Sequence, residues 1–93
     1  MELYEVGSLV ISKAGHDKGQ IYVIIKVDEE YIYLSDGIYK TLDKLKKKKR
    51  KHIQRINYID EQINKKIKNH EPMINEEIKH TIKLYVDKIQ ASK

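Results

Sequence analysis

Apolar and polar residues alternate in two different rhythms along this chain. In the first half the apolar residues form short β-branched runs broken by polar turns. "SLVISK" (Ser8–Lys13) predicts a first strand, and "AGHDKG" (Ala14–Gly19), with two glycines among polar residues, predicts a turn. "QIYVIIKV" (Gln20–Val27) is apolar on both faces near its centre and predicts the most buried strand. Asp28–Glu30 predict a tight polar turn, Tyr31–Ser35 another strand, and Asp36–Gly37 a hairpin turn after which "IYKTL" (Ile38–Leu42) can pair back. Short strands on short turns favour antiparallel pairing, and four of them within roughly forty residues favour a compact barrel over a sandwich.

The second half follows a helical rhythm. Ile59, Ile63 and Ile67 recur every four residues, with Asn57 as N-cap and Asp60 three residues on. Pro72 disfavours helical geometry at Glu71 and predicts a stop. Asn75 then caps a second helix, with Glu76 and Glu77 placed well against its dipole. Its stripe is Ile78, Ile82, Tyr85, Val86 and Ile89, a packing surface for the other helix or the barrel, and Ala91–Lys93 should fray. The expected fold is therefore α+β: a small antiparallel β-barrel over residues 1–56, with a helical extension over residues 57–93 packed on it.

Composition narrows this picture. A chain of 93 residues is one domain, and one this small buries roughly 60–65% of its unfolded surface. Phe, Trp and Cys are absent, so the core must be built from Ile, Val, Leu and Tyr, without disulfides or thiolate metal sites. The acidic start lacks a secretory pattern, and no run approaches the roughly 18 apolar residues of a membrane span. A cytoplasmic setting is expected.

Charge sharpens it further. The net charge of +5 conceals an uneven distribution: residues 44–55 hold eight basic residues and no acid, whereas residues 1–43 hold four lysines and eight acids. A block of this kind suggests a polyanionic partner. It lies between a strand-like segment and a patterned helix, and Lys51–Ile56 can itself form a last strand with Ile53 turned inward. The expectation is a basic rim anchored at both ends, not a free tail.

Catalytic patterns are lacking. His16, His52, His70 and His80 show no metal-ligand spacing, the serines lie in no nucleophile elbow, and the 14–19 turn lacks the Gly-Lys-Ser/Thr ending of a phosphate loop. No enzyme activity, cofactor or metal is expected. Tyr22, Tyr31, Tyr33 and Tyr39 lie on or near the strands. Their rings are expected to fill the barrel with hydroxyls at the rim, although exposed ones could stack on unpaired bases.

Over "VGSLVISKAGHDKGQIYVIIKV" (Val6–Val27) the chain resembles a KOW domain, at Val10, Ser12, Gly15, Asp17, Lys18, Gly19, Tyr22, Val23 and Ile24. The turn is similar to the Gly-Arg-Asp-x-Gly variant of small bacterial KOW proteins related to the fourteenth large-subunit ribosomal protein of archaea and eukaryotes. His16 stands where that variant has Arg. The Asp-Gly pair and the basic run in "YLSDGIYKTLDKLKKKKRKHIQ" (Tyr33–Gln54) extend the likeness to residues 4–56. The resemblance implies an SH3-like barrel whose glycine turn lies against RNA, in a ribosome-associated protein. The RNA-binding residues it and the basic run suggest are Lys13, Gly15, His16, Lys18, Lys44, Lys46, Lys47, Lys48, Lys49, Arg50, Lys51, His52 and Arg55. Asp17 would brace the turn. The rival expectation is a protein-interaction module whose basic block meets an acidic partner in the translation or transcription machinery.

Overall fold

The computed structural model describes residues 4–91. Five strands, β1 (Ser8–Ser12), β2 (Ile21–Val27), β3 (Tyr31–Ser35), β4 (Lys46–Lys49) and β5 (Ile53–Ile59), precede two helices, α1 (Glu61–Lys68) and α2 (Asn75–Ala91). The strands form one antiparallel sheet in the order β4-β3-β2-β1-β5. The strand with the longest apolar run, β2, takes the central place. A single 3-10 turn, Arg50–His52, links β4 to β5. The sheet is open, with β4 and β5 as its two edges, so the α+β architecture expected of the chain is present but the barrel is not closed.

Two apolar layers sandwich the sheet. On one face Val10, Tyr22, Ile24, Ile32, Leu34 and Ile53 pack together. On the other, Leu9 and Val23 meet Ile63 of α1 and Ile78 of α2. This division follows from strand alternation, in which neighbouring residues point to opposite faces. It breaks at Ile25, where the β2–β3 register shifts. The bulge turns Lys26 away from the side of Ile24 and sets it opposite Tyr33, on the helix side of the sheet.

Several local expectations are corrected. Ile38–Leu42 is a loop rather than a strand, because the Asp36 carboxylate accepts hydrogen bonds from the amides of Ile38, Tyr39 and Lys40 at 2.9–3.0 Å. A sheet ladder cannot also use those donors. The partner of β3 is instead the basic run itself, with Lys46 opposite Leu34 and Lys49 opposite Tyr31.

The helical part begins at Asp60, not at residue 57. Pairing of Ser8 with Ile59 carries Asn57 into β5, and the Asp60 amide donates to the Gly7 carbonyl. Asp60 is then the N-cap of α1, accepting from the amides of Gln62 and Ile63. Asn75 does not cap α2 with its side chain, whose Oδ1 accepts from the Leu42 amide at 2.8 Å. Glu77 reaches back to the Ile74 amide instead, the acidic half of a capping box.

The helices are fastened to each other by the Lys66–Glu77 ion pair, and α2 to β5 by an edge-on contact of Tyr58 with Tyr85 at 5.3 Å. Ser92 and Lys93, expected to fray, lie outside the described residues. Among the described residues no helix is long and apolar enough to cross a membrane.

Candidate nucleic-acid interface

The basic run is ordered because strand pairing orders it. Alternation along β4 then gives its four lysines two different fates. Lys46 and Lys48 fall on the side of Leu34 and Ile32, while Lys47 and Lys49 fall on the side of Tyr33 and Tyr31.

Lys48 was expected among the RNA contacts, yet its side chain is only 9% exposed. Its Nζ donates to the Ala14 carbonyl at 2.7 Å and pairs with Asp17 Oδ1 at 2.8 Å. Asp17 also accepts from Ser12 Oγ at 2.9 Å and from the Tyr22 hydroxyl at 2.8 Å. Burial opposes ionisation of Asp17, but the bonds from Lys48, Tyr22 and Ser12 and the charge of Lys48 outweigh it and bring the pKa down to about 2. Burial, followed by the bond to Asp17, pushes the Tyr22 phenol well above its ordinary value. Asp17 therefore braces the turn, as expected of it, and does so by tying the 14–19 turn to β4.

Arg50 is also engaged within the fold. Its guanidinium donates to the carbonyls of Asp28 and Glu29, at 2.5 and 3.2 Å, and lies over the Tyr4 ring. Lys48 and Arg50 thus hold together the surface on which the other cations stand.

Those other cations lie on β4 and the residues beside it, on β5, and on or beside the 14–19 turn. Lys13, His16 and Lys18 are exposed on or beside the 14–19 turn, whose Gly15 and Gly19 have φ near +90°. That left-handed conformation favours glycine. Lys44, Lys47, Lys49, Lys51 and Arg55 are exposed, and Lys46 and His52 are half-buried. The Lys13 amide donates to the His52 carbonyl at 2.9 Å, so the two basic segments meet a second time beside the Lys48 contact.

The tyrosines divide as well. Only Tyr22 fills the core in the way expected of all four. Tyr39 is 82% exposed in the loop. Tyr31 and Tyr33 belong to neither apolar cluster and stand half-buried on the helix side of β3. Lys47 Nζ lies 4.2 Å from the centre of the Tyr31 ring and Lys26 Nζ 5.4 Å from that of Tyr33. Strand parity and the Asp28–Glu30 turn carried the signal for this pair, but Lys26 joins it only through the bulge at Ile25.

No known family model matches the chain, and no characterised protein matches it in sequence.

Proposed function

We propose that this protein is a cytoplasmic RNA-binding accessory module of KOW type, associated with the ribosome through phosphate contacts. The observation that carries the reading is the junction of the 14–19 turn with the basic strand β4 through Lys48 and Asp17. It unites two cationic segments far apart in sequence into one edge. A five-strand antiparallel meander whose last strand returns to the first, with a 3-10 turn before it, supports a partly open SH3-like barrel. Phosphate contacts of this kind position a protein on RNA without reading its sequence.

Sedimentation from lysate tests the proposal. Migration with the large ribosomal subunit, lost on RNase treatment or at high salt, is the expected result. Migration at the top of the gradient under all conditions contradicts it.

A second reading, docking on an acidic protein, draws on the apolar groove of Ile38, Ile82 and Val86, which is bordered by Lys79 and Lys83. Nuclease-resistant capture of one acidic partner is the outcome that favours it.

A further inference from the structure

The helix side of β3 carries two tyrosines that lie outside both apolar clusters. Tyr31 and Tyr33 are two residues apart on β3 and therefore share one face. Their Cα atoms are separated by about 6.6 Å, twice the rise of a strand residue. That is also roughly twice the ~3.4 Å rise per nucleotide of a duplex strand. Consecutive bases can reach both rings only if they are unstacked from each other.

The Tyr33 ring, and the backbone that carries Tyr31, are held in place before any ligand arrives. The Tyr33 hydroxyl donates to Asp28 Oδ2 at 3.1 Å, while Asp28 Oδ1 accepts from the amides of Glu30 and Tyr31 at 3.0 and 2.7 Å. Arg50 clamps the carbonyls of the same turn. Cations surround the pair: Lys26 and Lys47 flank Tyr33 in register, and Lys49 stands opposite Tyr31. The Asp28 carboxylate accepts from the Tyr33 hydroxyl and its charge acts on Lys47, and the exposed lysines of β4, Lys47 and Lys49, are the cations that face this pair for a phosphate.

Resting on the RNA-binding reading above, we infer that Tyr31 and Tyr33 form a stacking platform for two unpaired nucleotides, whose phosphates are held by Lys47 and Lys49. The ligand class is single-stranded RNA, or a loop with splayed bases, in preference to a duplex. Lys47 lies over the Tyr31 ring in the free protein and swings aside to a phosphate when a base takes its place. Stacking on an aromatic side chain contributes about 1–3 kcal/mol per base, which is about 5- to 150-fold in affinity for each ring.

The test measures fluorescence anisotropy of labelled 12-nucleotide oligouridine and of a 12-base-pair RNA duplex, over a range of salt. It uses the full chain, Tyr31→Leu, Tyr33→Leu and Lys47→Gln, each checked for folding by circular dichroism. The platform predicts tighter binding of the single strand than of the duplex. Either leucine variant should lose about 5- to 150-fold for oligouridine, with duplex affinity and salt slope unchanged. Lys47→Gln should reduce the salt slope by about one. If both RNAs bind equally and the leucine variants keep full affinity while Lys47→Gln loses it, the platform is overturned and the RNA-binding reading stands. If neither RNA binds, both fall.

Discussion

The Lys48 ammonium lies 2.8 Å from Asp17 Oδ1, joining the edge strand β4 to the turn between β1 and β2. Among the described residues no ladder joins β4 to β5, so the pair spans an opening that a closed barrel would fill with backbone hydrogen bonds. Its loss should be felt as stability. Lys48→Met leaves a mostly buried carboxylate without its cation and should cost about 1–3 kcal/mol in urea unfolding. Adding Asp17→Asn should recover part of that cost, since the double variant leaves no unpaired charge.

The same pair sets an acid dependence. The pKa of Asp17 is lowered from 3.8 to about 2 in the fold, so the unfolded chain takes up the proton first. The contribution is therefore complete above about pH 4 and lost as pH falls towards 2, amounting to about 2 kcal/mol. Asp28 and Glu77 are shifted in the same direction. The check is accordingly a difference: stability against pH for the native chain minus that for Asp17→Asn should fall over this window. A flat difference contradicts the assignment.

Two glycines should respond unequally to alanine. Gly37 has φ +76°, and an added Cβ would lie 2.5 Å from the Asn75 carbonyl oxygen, where the 36–42 loop meets α2. Gly19 has φ +93° but no atom within 4 Å of such a Cβ. Gly19→Ala should cost only the conformational strain, about 1–2 kcal/mol. Gly37→Ala adds a backbone clash and should lower the thermal midpoint clearly further.

Thr81 is fully buried in α2, and its hydroxyl has no hydrogen-bond partner among the described residues. Thr81→Val keeps the shape and removes the unsatisfied group. It should be neutral or stabilising by up to about 1 kcal/mol in urea unfolding. A loss of more than that would reveal a partner for the hydroxyl. Ile78→Ala, one turn earlier and equally buried, should cost about 2–5 kcal/mol.

These residues also mark what the sequence could and could not reveal. The strands β1, β2 and β3 were legible because their apolar runs end at glycine or acidic turns. β4 was not, since four consecutive lysines carry no apolar alternation and their strand geometry comes from pairing with β3. Ile38–Leu42 misled because β-branched and aromatic residues suit a strand, yet one buried carboxylate, Asp36, takes three of its amides. Asn57 is a good cap by residue type, but the ladder with β1 carries the strand past it to Ile59. Within the basic block all eight cations look alike in sequence. Parity separates Lys48 from Lys47 and Lys49, and the acid that holds Lys48 inward is 31 positions away.

That separation makes the central claim quantitative. With Lys48 and Arg50 engaged in the fold, the exposed lysines of the block and the 14–19 turn remain for phosphates. Contact with about five phosphates gives a log–log slope of affinity against salt of about −3.5 to −4.5. The most direct measurement is that slope for a structured ribosomal RNA fragment, with the native chain and with Lys47→Gln/Lys49→Gln. The account predicts a slope in that range, reduced by about two in the double variant, whose fold is retained. A slope near zero, or one unchanged by the double variant, would contradict it.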